Sequence, residues 1–184
     1  MSNRIVELYL HYQLVAALNN GKFQGRVYKK DKYILDLEGE SIADVQAKLR
    51  DYVDTLFNSE ASSRKQATND EMLTALRNIL PRLNDNYLAM IRAHYHAPER
   101  RITATLLADA AGYDGYGSAN LHYGKIGSFL YKELPMDIPK REGGKPIYTY
   151  MLADAAEKTG HEDHWVWQMR PEVADAIQAL GLDK

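Results

Sequence analysis

The first 58 residues show two successive patterns of apolar and polar positions. Strands are predicted over Tyr9–Leu18, Phe23–Lys29 and Tyr33–Glu38, with a helix as the alternative for the first. Asn20 and Gly21 favour a hairpin turn between the first two strands, since both residues tolerate positive φ. Ser41 is a good N-cap for a helix, in which apolar residues recur at helical spacing: Ile42, Val45, Leu49, Val53 and Leu56. We therefore predict a small domain over residues 1–58, with a three-stranded sheet and one helix.

The rest of the chain is predominantly helical in pattern. Residues 59–67 are small and polar, which indicates a linker before a second domain over residues 68–184. Thr68 and Glu71 form a capping box for the first helix of that domain. A second helix is predicted from about Asn84 to Tyr95, closed by the following Pro98.

The stretch Ile102–Leu134 is predicted to form a helix, a glycine-containing turn and a second helix. Thr103 caps the first helix and Gly112 suits the position where the chain leaves it, while Ser118 is the predicted cap of the second. This order indicates a helix-turn-helix.

A hairpin is predicted after the helix-turn-helix. Residues 140–145 form a basic turn with two glycines, and strands are predicted over Ile147–Leu152 and Trp165–Met169. A final helix begins with Pro171 at its first position. The predicted fold class is α+β: an N-terminal three-stranded sheet with one helix, then a mostly helical winged-helix domain.

Composition restricts the classes of function. The chain has 184 residues, 45% of them hydrophobic and 26% charged, which is typical of a folded protein. It has no cysteine, which excludes disulfides, cysteine nucleophiles and cysteine-ligated zinc. No apolar run approaches the roughly 20 residues of a membrane helix, and no leader is evident, so we expect a cytoplasmic protein without a membrane partner. The net charge of −2 means that DNA binding would require a local basic patch.

A winged helix reads duplex DNA by laying its second helix in the major groove. The predicted base-edge and nearby contacts are at the start of that helix, where Asn120 has the side chain that pairs bidentately with adenine. These residues are Tyr116, Ser118, Asn120 and Tyr123. Predicted phosphate contacts are Lys125 and Lys132 on the helix, Lys140, Arg141 and Lys145 at the basic turn, and Arg26, Lys29 and Lys30 on the N-terminal sheet.

The basic N-terminal hairpin and two glycines of the second helix each have a structural as well as a functional explanation. Lysines on a sheet edge also prevent aggregation, so the basic N-terminal hairpin can be a solvated edge. Gly124 and Gly127 are costly inside a helix, which indicates either close packing on a neighbouring element or close approach of DNA.

Histidines occur in two pairs, His94 with His96 and His161 with His164. Neither pair has the i, i+4 spacing of a zinc protease helix, and no phosphate-binding or nucleophile motif is present. We predict no metal, no cofactor and no enzymatic activity, with an unrecognised nuclease or base-modifying site as the alternative.

Several short motifs resemble one family. They are Arg92–Pro98, Thr103-Ala104, Ala110–Tyr113, Asn120–Lys125 and Trp167–Glu172, within about 90 residues, the size of one small domain. In these motifs the chain is similar to the winged-helix domain found beside HNH endonuclease domains in bacterial restriction-type proteins. The resemblance implies DNA binding, sensitive to sequence or base modification, in phage or bacterial defence or counter-defence. No HNH nuclease motif is present, so it does not imply catalysis.

Two kinds of partner remain open at this point. One is duplex DNA. The other is a protein of a defence system, which the chain would inhibit, as anti-CRISPR or anti-restriction proteins do, by using the winged helix as an interaction surface. The sequence leaves the oligomeric state open.

Overall fold

A computed structural model describes residues 4–156 and 165–184. The chain is α+β and divides into two compact units, Met1–Ser62 and Ser63–Lys184. None of the helices in the described ranges is long and apolar enough to cross a membrane.

The first unit contains four strands, not the three that we predicted. They are β1 (Arg4–Tyr9), β2 (Tyr12–Asn19), β3 (Lys22–Lys29) and β4 (Lys32–Gly39), antiparallel and in that order across the sheet. Leu10 and His11 have positive φ and form the turn that ends β1, so β2 begins at Tyr12 rather than Tyr9. The sequence did not indicate β1 because its apolar residues do not alternate, and Ile5, Val6 and Leu8 are all exposed.

One helix, α1 (Ile42–Ser63), covers one face of this sheet. Leu14, Ala16 and Val27 of the sheet are buried against Val45 and Leu49 of the helix. Ser41 caps the helix as predicted, since its Oγ accepts from the amide of Asp44. The predicted linker over residues 59–67 is wrong in its first half because α1 continues to Ser63, with Ala61 buried.

The second unit contains five helices and three short strands among its described residues. The helices are α2 (Asn69–Ile79), α3 (Asp85–His96), α4 (Ala104–Ala111), α5 (Gly115–Glu133) and α6 (Pro171–Ala179), and the strands are β5 (Arg101–Thr103), β6 (Ala153–Ala156) and β7 (Val166–Met169). The strands form an antiparallel sheet in the order β5-β7-β6. The capping box of Thr68 and Glu71 is confirmed, as is the left-handed Gly112 at the end of α4.

The predicted hairpin is wrong in its first strand. Tyr148–Met151 is a 3₁₀ turn, and the strand that pairs with β7 is β6, which begins at Ala153. The basic turn at residues 140–145 therefore precedes the hairpin and is closed by a bridge between Lys140 and Pro146. Residues 157–164, which follow β6 and precede β7 in the chain, lie outside the described ranges.

A buried ion pair joins the end of β7 to α6. The Nε of Arg170 donates to Oε1 of Glu172 at 2.8 Å, and Glu172 is only 3% exposed. The same guanidinium donates to the carbonyl of Tyr150 at 3.3 Å and lies 3.6 Å from Asp154 of β6. Arg170 therefore fixes the 3₁₀ turn, β6 and the start of α6 relative to one another.

Close packing explains the glycine at position 127. A Cβ built there would lie 2.0 Å from the carbonyl oxygen of Tyr148, so only glycine lets the 3₁₀ turn approach α5. At Gly124 the nearest atom to such a Cβ is Oγ1 of Thr149, at 3.8 Å, which is ordinary contact. Of the two explanations for these glycines, close packing and close approach of DNA, the structure supports packing at Gly127.

We expect Gly127→Ala to destabilise the protein by about 1–3 kcal/mol or more, because the added methyl group forces the 3₁₀ turn away from α5. Gly124→Ala is the matched control in the same helix, and we expect it to stabilise by up to about 1 kcal/mol through helix propensity. Urea unfolding followed by circular dichroism measures both. Equal stability of the two variants would contradict the packing at Gly127.

Candidate nucleic-acid interface

The turn between α4 and α5 is fixed by aromatic contacts. The ring of Tyr113 in the turn stacks on His122 of α5 at 4.4 Å between centroids. Nδ1 of His122 also lies 3.4 Å from the hydroxyl of Tyr87 on α3. These contacts join the turn to α5 and α5 to α3.

The helix α5 begins earlier than predicted. Its first residue is Gly115, after Asp114 at the N-cap position, so Ser118 is inside the helix and not its cap. The Oγ of Ser118 donates to the carbonyl of Asp114 at 3.5 Å. Gly115 has a positive φ, which lets the chain pass directly from the turn into the helix. Because we took Ser118 as the cap, we placed the start of α5 too late.

One side of α5 is an open stripe that contains both basic and apolar residues. Its exposed members Gly117, Leu121, Lys125 and Lys132 recur every four or seven residues, and Tyr116 and Asn120 are exposed beside it near the start of the helix. The opposite side, including Ala119, Ile126 and Leu130, is buried. The sequence from Gly115 to Lys132 contains no aspartate or glutamate. A phosphate backbone that approached this stripe would therefore meet no acidic side chain of α5 before Glu133, the last residue of the helix.

The predicted contact Tyr123 is not on the open stripe. It is 1% exposed, and its hydroxyl donates to Nδ1 of His94 at 2.5 Å. Tyr123 follows the buried Ala119 by one helical turn, which places both on the side that faces α3. Tyr123 is therefore a core residue, and the prediction that it contacts DNA is wrong.

The basic turn is joined to the second half of α5. Lys140, Arg141 and Lys145 are exposed, but the segment that follows them contacts α5 through Tyr148, at Gly127 and Tyr131. Gly127 lies about three helical turns beyond Tyr116. The predicted basic turn therefore precedes the β6–β7 hairpin in the chain, and the segment after it packs on the second half of α5.

The basic residues of the first unit are largely neutralised. Lys22 pairs with Glu38 at 3.2 Å, Lys29 pairs with Glu60 of α1 at 3.1 Å, and Arg26 lies opposite Asp36 in the strand register. The hydrogen bond from Gln24 and the ammonium of Lys22 lower the pKa of Glu38. Lys30 is exposed at the β3–β4 turn. The structure thus favours a charge-paired sheet over a basic patch.

A cation cluster that the sequence did not indicate lies beside the open stripe. The guanidinium of Arg82, in the 3₁₀ turn after α2, lies 3.9 Å from the ring centroid of Phe129 on α5. The ammonium of Lys125 lies 5.6 Å from the same centroid. We call Arg82, Lys125 and Phe129 the ring cluster. Only the packing of α2 against α5 brings Arg82 there, so no local pattern predicted it.

His94 is a structural residue and not a metal ligand. Its Nε2 lies 3.1 Å from the carbonyl of Arg100 and 3.0 Å from that of Trp167, so Nε2 carries the proton and donates to both. Its Nδ1 accepts from Tyr123, while His96 binds the carbonyl of Asp183 at 2.7 Å. Among the described residues no His, Asp and Glu side chains group as a metal site would require. The second pair, His161 and His164, lies outside those residues.

Burial makes both members of the His94–Tyr123 pair neutral. It lowers the pKa of His94 to about 4, although the hydrogen bonds that the ring donates to the two carbonyls act to raise this pKa. It also raises the pKa of the Tyr123 hydroxyl. Neither group is therefore suited to carry charge at neutral pH, and their role is to join elements.

No protein-family model, no curated protein and no solved structure matches this chain. The geometry of α5 and the residues beside it is therefore the basis for inferring function.

We expect the stability of the protein to fall as the pH is lowered from 6.5 to about 4. The unfolded state takes up a proton at His94 near pH 6.5 but the folded state only near pH 4, so the contribution is complete above pH 6.5 and is lost progressively between these two values. The difference in pKa corresponds to about 3 kcal/mol.

His94→Gln tests this because glutamine keeps one donor and one acceptor but does not titrate. We expect the variant to be less stable at pH 7 and to lose less stability between pH 7 and pH 4.5 than the wild type does. Urea unfolding at both pH values measures the difference. Parallel losses in the two proteins would show that His94 is not the group responsible.

Proposed function

We propose that the second unit is a winged helix that binds duplex DNA with α5 in the major groove. The observation that carries this proposal is the open, acid-free stripe of α5 in a chain that runs α3–β5–α4–α5–β6–β7. The strand order β5-β7-β6 is the order expected when a hairpin follows a helix-turn-helix and pairs with the strand before it. This arrangement supports the winged-helix assignment, and the stripe supports the DNA-binding role.

Charge is unevenly distributed along the proposed interface. The start of α5 has the exposed Asp109 and Asp114 nearby and no cation, whereas Lys125, Lys132 and the ring cluster lie in its second half. Base contacts from Asn120 and backbone contacts from the lysines are therefore separated along the helix. We infer modest affinity that decreases with salt, since phosphate contacts release counterions.

The biological setting that we propose is phage or bacterial defence or counter-defence, with sensitivity to DNA sequence or base modification. Its support is the resemblance to winged helices of restriction-type proteins. Cytosine-modified and plain duplexes are accordingly the first ligands to compare.

We expect Asn120→Ala to weaken binding to a selected duplex by about 1–3 kcal/mol, and to weaken binding to unrelated duplexes less, because a bidentate amide contact reads one base. Selection from a random duplex pool followed by fluorescence anisotropy gives both affinities. Asn69→Ala is the control, since the Asn69 amide is occupied by Asp175 of α6 at 2.8 Å. Equal affinities of the wild type and Asn120→Ala for the selected duplex would contradict base recognition by α5.

A second candidate is a protein-binding inhibitor, and exposed apolar side chains favour it. Leu121 is 71% exposed on the open stripe, Tyr116 is 57% exposed beside it, and Leu106 of α4 is 53% exposed. Apolar groups on a reading helix can contact thymine methyl groups, but they are equally suited to a protein partner.

Leu121→Lys separates the two candidates. If α5 lies in a DNA groove, the added cation keeps or strengthens duplex binding and steepens its salt dependence. If α5 binds a protein through its apolar side chains, the same change abolishes co-purification of that partner. Lost duplex binding in this variant, with the fold intact by circular dichroism, would argue against the groove-bound orientation.

A further inference from the structure

We propose that Arg82 and Lys125 form a phosphate-binding site, held in place by the ring of Phe129, that contacts the DNA backbone beside α5. This inference rests on the proposed function and adds to it Arg82 as a phosphate ligand and the ring contact that orders Arg82 and Lys125. Arg82 is not among the residues that the sequence predicted to contact DNA.

The first support is the geometry of Arg82. Its guanidinium lies 3.9 Å from the ring centroid of Phe129, which is a stacking distance, and the side chain remains exposed. A stacked guanidinium uses its flat face on the ring, which leaves its N–H edges available to donate. Such an edge matches two phosphate oxygens, and the stacking orders the side chain before the anion arrives.

The second support is the charge around the ring. Because Arg82 and Lys125 approach the same ring, their charges lie within about 10 Å of each other, one Debye length at 0.1 M salt. Neither side chain has an ion pair among the described residues, in contrast to Lys22 and Lys29 of the first unit. Two unpaired like charges repel, and an anion bound between or beside them relieves that repulsion.

The third support is position. Lys125 belongs to the open stripe, and Phe129 follows it by one helical turn at 9% exposure, so the ring is anchored in the core. Arg82 reaches this ring from a different element, the 3₁₀ turn after α2. The ring cluster therefore extends the basic surface sideways from α5, where a DNA strand that borders the groove would run.

The salt dependence of duplex binding tests the site directly. We expect Arg82→Gln and Lys125→Gln each to reduce the slope of log affinity against log salt by about 1, and the double variant to reduce it by about 2, with little effect on sequence preference. Arg101→Gln is the matched control, because Arg101 already pairs with Glu99 at 3.4 Å and its loss should leave the slope unchanged. Unchanged slopes in Arg82→Gln and Lys125→Gln, with wild-type binding intact, would overturn the site but not the proposed function.

A titration with inorganic phosphate tests the site without DNA. We expect a saturable change in the NMR signals of the Arg82 side-chain N–H and the Lys125 amide, and we expect Lys125→Gln to weaken the change at Arg82. No saturable change at either residue would overturn the site. A saturable change in a protein that binds no duplex at low salt would support a phosphate site at Arg82 and Lys125, but it would overturn both the proposed function and the role of the site on DNA.

Discussion

The buried imidazole of His94 joins more of the second unit than any other side chain described above. It lies on α3, accepts from Tyr123 of α5, and donates to the carbonyls of Arg100, just before β5, and Trp167 of β7. Four parts of the chain therefore meet at one ring whose polar atoms are all satisfied. Because burial keeps the ring neutral, the unit has this junction without the cost of a buried charge.

Several residues of the sequence motifs behind the predicted winged-helix resemblance meet at this junction or close to it. His94, Tyr123 and Trp167 belong to those motifs, as do Arg170 and Glu172 of the buried ion pair. These five residues maintain the fold and do not lie on the open stripe of α5. The proposed DNA contacts Asn120 and Lys125 belong to the same motifs but are exposed, and Arg82 lies outside the motifs. The motifs therefore bear on architecture mainly through their buried members.

Electrostatics decides which surface is the better candidate for DNA. The first unit has many lysines and arginines, but strand register and the position of α1 place Glu38, Asp36 and Glu60 beside them. The cations of the second unit near α5 include Arg82 and Lys125, which lack such partners among the described residues. A near-neutral chain can thus present a local basic surface, because pairing removes charge in one unit and leaves it in the other.

The sequence alone determined features that depend on a few neighbouring residues. The capping box at Thr68, the left-handed Gly112 and the N-terminal Pro171 are set by local backbone chemistry, and all are present. Tertiary structure decided what depends on distant residues. It buried Tyr123 against His94, turned Tyr148–Met151 into a 3₁₀ turn on Gly127, and brought Arg82 to Phe129. Periodicity reports which positions are apolar, but the packing of other elements decides which of them meet and which charges remain unpaired.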